Sequence, residues 1–441
     1  MVTTPRDPDR RGGDGVERLA LAFDDERAVA NAGLVLASTL AGRLGIEQIV
    51  DETLDLGERP GAARPGRKLL TLVFSALVGG DSIDDAGVLC CGETQRVLGH
   101  RVMAPSTLGT FLRSFTFGHV RQLDRAFETI LGRAWAAGVG PGSEPLTIDL
   151  DSTIIEVAGR AKQGAGFGYT KRRGYHPILA TRSDTGEVLH ARMRKGSAQS
   201  QRGAERFVRE LVPRVRRLGA TGPLLVRADS GFWSNKTVAA LEQHGVRYSI
   251  GVTQHESVRR AIERIPEQSW QPLDDYPPDG IAEIAEGMLG ARRLVVRRTR
   301  LVGVQAELFP DWRYHAFITD RPEPLALVEQ EHRRHAQIEL AIRDLKEGSG
   351  LNHAPSGHFF ANAAWLLISV LSHNLARWIA RLGLGASGPI VAQTIRRRYL
   401  TLPGRITRSG RRATLHLPVR WPWRESFTQA LARLRALPLL A

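Results

Sequence analysis

Asp149 and Asp151 stand two residues apart in the alternating segment Leu146–Thr153, so on a strand both carboxylates project from one face. A second apolar run, Leu224-Leu-Val-Arg-Ala, ends on Asp229 ahead of Ser230-Gly231. That is the strand-end position from which carboxylates reach a shared crevice in α/β sheets. Further along, His332, His335, Glu339, Arg343 and Lys346 recur at intervals of three and four, which gathers them on one face of a helix. Taken singly, each feature is explained by hydration at a strand end or along a solvated helix face, because a buried carboxylate is costly unless paired. Together, three carboxylates from two strands and a helix make an oxygen donor set for hard cations. Two Mg²⁺ ions about 3.5–4 Å apart, with Mn²⁺ able to substitute, can activate an attacking oxygen and stabilise the leaving oxygen of a phosphodiester. Basic side chains beside the third carboxylate would hold neighbouring phosphates. A zinc site fits less well: the two histidines are three residues apart, whereas the helical zinc motif needs four.

The rest of the chain must position these groups. At 441 residues and 42% hydrophobic, it is too apolar to be disordered and long enough for two or three cores. Its only cysteines, Cys90 and Cys91, are adjacent, which excludes a disulfide scaffold and a four-cysteine zinc module and makes a reducing, cytoplasmic setting the default. Met1–Gly15 lacks the apolar core of a signal peptide. The stretches Ala28–Leu44, Leu69–Val78 and Ala363–Leu371 are interrupted before the roughly twenty residues of a membrane span, so a soluble protein with no membrane partner is expected. The 61 basic and 46 acidic residues give a net charge of +15, nearly all of the excess from arginine. Such a charge attracts polyanions, although a GC-rich genome accounts equally well for arginine over lysine.

Residues 1–27 read as a mobile arm and 28–139 as an all-helical region, with apolar residues at helical spacing in Ala28–Leu44 and Arg67–Val78. Gly138–Pro145 is a linker by composition. The period then changes to strands at Leu146–Thr153, Pro177–Thr181 and Val188–Met193, an antiparallel meander. A helix at Gly203–Leu218, a strand at Leu224–Ala228, a helix at Asn235–His244 and a strand at Tyr248–Val252 complete a mixed sheet covered by helices over 146–253. Residues 254–310 interrupt the rhythm as an inserted β-rich subdomain. In 311–400 a strand at Tyr314–Thr319 leads into one long helix from about Pro324 to Glu347, and a strongly apolar helix, Phe359–Leu382, packs behind it. Residues 401–441 read as a basic tail.

The pieces Leu146-Thr-Ile-Asp-Leu-Asp151-Ser-Thr, Val226-Arg-Ala-Asp229-Ser-Gly-Phe232 and Ile338-Glu339-Leu-Ala-Ile-Arg-Asp-Leu-Lys346 resemble, in this order, a DDE transposase of bacterial insertion sequences. Gly350–Gly357, Asn362-Ala-Ala-Trp-Leu and His373-Asn-Leu-Ala-Arg-Trp378 extend the likeness over about residues 28–400. It is closest to the superfamily with a Tyr-x2-Arg-x3-Glu-x6-Lys signature, and within that to the group numbered thirteen-eighty. The resemblance implies an RNase H-like catalytic domain with an insertion between the second Asp and the Glu. It makes Asp151, Asp229 and Glu339 the catalytic and metal-binding acids, with Asp149 in reserve. The signature Tyr and Arg fall on His332 and His335 while Lys346 is kept, so the DNA contacts pass to His332, Arg333, Arg334, His335, Arg343 and Lys346. The partners implied are double-stranded DNA, as transposon terminal inverted repeats and target, and a second copy of the chain on the DNA ends, in a nucleoid-associated bacterial setting. The helical region would recognise the ends, and the arm and basic tail would add phosphate contacts. The alternatives are a silent DNA-binding protein derived from such an element, and an RNase H-like nuclease without strand transfer.

Overall fold

A computed structural model describes residues 19–168, 171–274, 280–301 and 312–439. Most of the expected arm therefore lies outside the described residues. The chain enters through a short strand, β1 (Ala28–Val29), followed by α1 (Leu34–Arg43), α2 (Ile46–Thr53), α3 (Pro65–Leu77), α4 (Thr94–Leu98), α5 (Pro105–Arg113) and α6 (Phe117–Ala134). The periodicity expected from Ala28 becomes helix only at Leu34, because Ala28 and Val29 pair with Arg405 and Gly404 near the other end of the chain.

The central sheet is built on β2 (Leu146–Ser152), whose Ile148 and Leu150 are fully buried. Next come β3 (Ile155–Glu156), β4 (Gly166–Phe167) and β5 (Arg173–Tyr175), a small separate sheet that the sequence reading did not anticipate. The expected strands and helices follow as β6 (Ile178–Arg182), β7 (Val188–Arg192), α7 (Ala204–Arg217), β8 (Leu224–Ala228), α8 (Asn235–Gln243) and β9 (Arg247–Gly251). Their order is β7-β6-β2-β8-β9, with β8 parallel to both β2 and β9 and the remaining pairs antiparallel. This is the RNase H-like mixed sheet.

After α9 (Glu256–Glu263), the strands β10 (Gln271–Pro272), β11 (Gly280–Leu289), β12 (Arg292–Leu301) and β13 (Arg313–Thr319) do not form a detached subdomain. β12 pairs with β13, and β13 pairs with β9, so the insertion lengthens the same sheet to nine strands. Within the expected insertion, residues 275–279 and 302–310 lie outside the described residues. The long helix expected over 324–347 is two, α10 (Leu325–Arg333) and α11 (Gln337–Gly348), joined by a 3₁₀ turn at Arg334–Ala336.

α12 (Phe359–Trp378) is buried along most of its length and contacts α3, α5, α6 and β7. With its extension, Phe359–Gly383, it is long and apolar enough to cross a membrane, but 89% of its most apolar window is buried inside the protein, where it serves as the central core helix. One continuous hydrophobic core runs from Leu36 and Phe74 through Leu150 to Trp378 and Leu434, so 28–139 is not a free-standing unit. The expected basic tail is also folded. Beyond α13 (Ala392–Ile395), β14 (Gly404–Ser409) and β15 (Arg412–His416) form a hairpin on β1, and α14 (Arg424–Ala436) packs on α1.

Candidate active site

The register of two parallel strands fixes the first two acids. Asp149 pairs with Arg227 and Leu150 with Ala228 across β2 and β8, which places Asp151 and Asp229 at neighbouring C-terminal strand ends. All four polar residues share one sheet face, but they do not share a role. Asp149 is fully buried and locked by Arg227, whose Nε and Nη2 donate to its two carboxylate oxygens at 2.7 and 2.8 Å. Arg227 also donates to the Ser183 hydroxyl at 2.6 Å and to the Glu331 carbonyl. Asp149 is thereby withdrawn from the site, and Asp151, half-buried two residues further along the strand, is left without a cation among the described residues.

Asp229 follows the last residue of β8 and caps a 3₁₀ turn, its carboxylate accepting the Gly231 N–H at 3.1 Å. A Cβ on Gly231 would lie 2.9 Å from Ser200 Cβ, so this turn needs glycine for the close approach of the neighbouring loop. That loop is held by Arg194, whose guanidinium donates to the carbonyls of His176, Gln199, Ser200 and Arg202 at 2.8–3.1 Å.

Glu339 lies in the first turn of α11, and two bonds fix that helix over Asp151. The His335 ring nitrogen lies 3.1 Å from the Leu150 carbonyl, and Lys346 Nζ donates to the Ile154 carbonyl at 3.1 Å. The helix is thus fastened on either side of Asp151, at Leu150 one position before it and at Ile154 three positions after it. A cleft of about 320 Å³ beside Asp151 is lined by Ser152, Thr153, Glu339, Arg343 and Lys346. A second, of about 610 Å³ beside Asp229, is lined by Ser230, His332, His335 and again Glu339.

Burial raises the Asp151 carboxyl to about 7, reinforced by the charges of Asp229, Glu339 and Asp149 and opposed by the Ser152 N–H. Lost hydration raises Asp229 as well, against His335 and the Gly231 N–H, although the residue is exposed at the cleft mouth. Among the described residues none of the three acids is ion-paired with Lys or Arg. Nor do any three His, Cys, Asp or Glu side chains there form a ready cage for a metal ion. An open, uncompensated set of carboxylates fits a hard divalent cation that takes its remaining ligands from water and phosphate.

The other expected DNA contacts divide. His332 is 6% exposed, stacks on Phe317 at 3.9 Å and shares a 2.8 Å hydrogen bond with the Ser249 hydroxyl. Burial, then His315 and His335, push its pKa well below the ordinary value. It is a neutral core group in this structure, which corrects its placement among phosphate contacts. Arg333 is drawn back to the buried Glu329 at 3.2 Å, whereas Arg334 and Arg343 are exposed. His335 and Lys346 line the clefts, but their polar atoms hold backbone carbonyls. Arg227 was missed by sequence reasoning although it carries a signal: a charged residue inside an apolar strand beside a strand with an equally misplaced Asp. The brace from Arg194 has no such signal, because its partners are all backbone.

A model of the family described as transposase DDE domain group 1 matches residues 13–439. The chain belongs to the DDE transposase family. No curated protein matches it. Among solved structures it is similar to piggyBac transposase, in a synaptic complex with hairpin DNA, at 12% identity and a TM-score of 0.47 over 84% of this chain and 79% of that one.

Proposed function

We propose that this transposase binds the ends of an insertion sequence, of the group numbered thirteen-eighty, and cuts and joins DNA through Asp151, Asp229 and Glu339. The observation that carries the reading is that Glu339 lines both the cleft at Asp151 and the cleft at Asp229, with no Lys or Arg ion pair on any of the three acids among the described residues and with Asp151 raised to about 7. A divalent pair, Mg²⁺ or Mn²⁺, bound there would polarise the scissile phosphate and balance the charge of the attacking and leaving oxygens. Asp151 and Asp229 are held by strand ends and Glu339 by a helix fastened to the same strand, so the three acids keep their spacing as a strand of DNA enters. Lys346 and Arg343, on the wall of the Asp151 cleft, hold the phosphates flanking the reacting one. In the first step a water oxygen bonds to phosphorus and the 3′ oxygen leaves with a proton. In the second, that 3′ hydroxyl attacks a target phosphodiester, the attacking oxygen losing its proton as the displaced strand takes one up. The helical region α1–α6 recognises the ends, and two copies hold two ends in the bacterial cytoplasm.

The test is purified full-length protein with duplexes carrying the element's own ends and Mg²⁺ or Mn²⁺, the products resolved as nicks, breaks or joined strands. Joined strands with wild type and none with Asp229→Asn support the proposal. Cleavage without joining reduces it to a nuclease, and binding without cleavage to a silent DNA-binding protein.

A further inference from the structure

After Glu347 the chain holds thirteen arginines and a single acid, Glu425. Part of this excess is used inside the fold. Arg377 pairs with Asp344, Arg396 caps the carbonyls of Leu77, Ala76 and Gly348, and Arg381 holds Ala386 and Ser387. The hairpin β14–β15 has no such use for its share. Arg408, Arg411 and Arg412 are exposed and have no ion pair among the described residues, while Arg405 lies 3.6 Å from Asp25.

The register sorts the two faces of the hairpin. Ile406 faces Leu415 and Arg408 faces Ala413 on one side of the strands, where Ile406, Ala413 and Leu415 line a cavity against Val35 and Val97 of the helical region and Arg408, nearer the tip, stays exposed. The opposite face presents the pairs Arg405–His416, Thr407–Thr414 and Ser409–Arg412, with no acid and no large apolar side chain. β1 covers the hairpin only at Gly404 and Arg405, so its tip, turned by Gly410 at φ 58°, stands clear of the sheet. Like charges crowded on one ribbon repel one another and do nothing for folding. A polyanion relieves that repulsion, and a two-stranded ribbon is an element that the major groove admits.

We propose that the β14–β15 hairpin is a duplex-DNA docking ribbon, distinct from the carboxylate cleft, in which the outer face turns to the groove while Arg412 on that face, Arg411 in the turn and Arg408 at the exposed edge beside the tip reach backbone phosphates. It rests on the reading that DNA is the substrate. An apolar lipid surface is disfavoured because the outer face offers no side chain to insert.

The experiment compares Arg408→Ser/Arg411→Ser/Arg412→Ser with a control of equal charge change, Arg206→Ser/Arg209→Ser/Arg217→Ser on α7, in the full chain. Binding of a fluorescent duplex carrying the element's end is titrated from 50 to 300 mM salt, and thermal melting confirms folding. Each lost phosphate contact lowers the slope of log affinity against log salt by about 0.9, so the hairpin variant should lose between about 2 and 3 while the control keeps the wild-type slope. Equal slopes in wild type and hairpin variant overturn the proposal, and equal losses in both variants reduce it to a bulk charge effect and overturn it too. Absence of duplex binding by wild type itself would instead sink the reading on which it rests. Should the triple variant fail to melt as wild type does, the single variant Arg411→Ser, in the turn, carries the same comparison with an expected slope loss of about 0.9.

Discussion

Asp151→Asn removes a charge that the fold tolerates poorly. Burial and three neighbouring acids raise that carboxyl from 3.8 to about 7, so the folded chain keeps a proton that the unfolded chain has released. For an acid raised on folding, stability is fully present below the unfolded value and declines as pH climbs toward the folded one. At about 1.4 kcal/mol for each pH unit between those two values, this raised carboxyl weakens the metal-free fold by up to about 4 kcal/mol at pH 8 and by roughly 1.5 kcal/mol at pH 5, where the unfolded chain alone is ionised. Asn keeps the shape and can accept the Ser152 N–H that Asp151 now takes at 2.6 Å. In EDTA the variant should therefore be the more stable protein, its advantage in urea denaturation growing by about 2.5 kcal/mol from pH 5 to pH 8. Saturating Mg²⁺ should narrow that gap, because a ligand at a hundred times its Kd stabilises by about 2.7 kcal/mol and Asn removes one of its carboxylates. A gap that stays constant with pH, or a wild type more stable than the variant in EDTA at pH 8, would refute the reasoning.

Asp149→Ala leaves Arg227 charged and buried, and should cost about 3–5 kcal/mol in chemical denaturation; a loss under 1 kcal/mol would mean that the pair is not closed in solution. His332→Leu should lower thermal stability through the lost Ser249 bond without moving the pH profile of cleavage. Because its pKa is depressed, His332 contributes stability above pH 6.5 that is lost as pH falls below it, so the wild-type advantage should shrink in acid. Lys346→Ala frees one end of α11 and removes a charge from the cleft. Cleavage should fall by about 10- to 100-fold, in line with 1.5–3 kcal/mol for a charged hydrogen bond, with Lys346→Arg recovering part of it and end binding little changed.

The sheet was legible because β2, β6, β7, β8 and β9 each carry their own alternation or apolar run between clear turn signals, and their boundaries needed no knowledge of partners. What the sequence hid was decided by distant partners. Residues 254–310 read as β-rich, but only the pairing of β11 to β12, of β12 to β13 and of β13 to β9 shows which sheet they extend. Gly404–His416 offers just Ile406, Ala413 and Leu415 as apolar residues among arginines, so it reads as a tail until β1 and the helical region supply the other half of its packing. The break at Arg334–Ala336 leaves no mark either, since no Gly or Pro interrupts 325–347. The consequence fell on the basic stripe: regular spacing put His332 with the phosphate contacts, and the structure turns it onto Phe317 and Ser249.

The difference between a structural and a reactive carboxylate in this protein is two residues along one strand. Asp149 and Asp151 leave the same face of β2, as Arg227 and Asp229 leave the same face of β8. In the interior the register sets an acid beside a base, which neutralises both and bonds their polar atoms, so the pair can be fully buried. At the strand ends the same register sets an acid beside an acid, and α11 brings a third. Spacing alone could not choose between Asp149 and Asp151, because both satisfy it. The neighbouring strand chooses: the carboxylate opposite Arg227 is satisfied and closed, whereas the one beside Asp229 lacks a counter-charge, which leaves it available to a cation that arrives with the substrate.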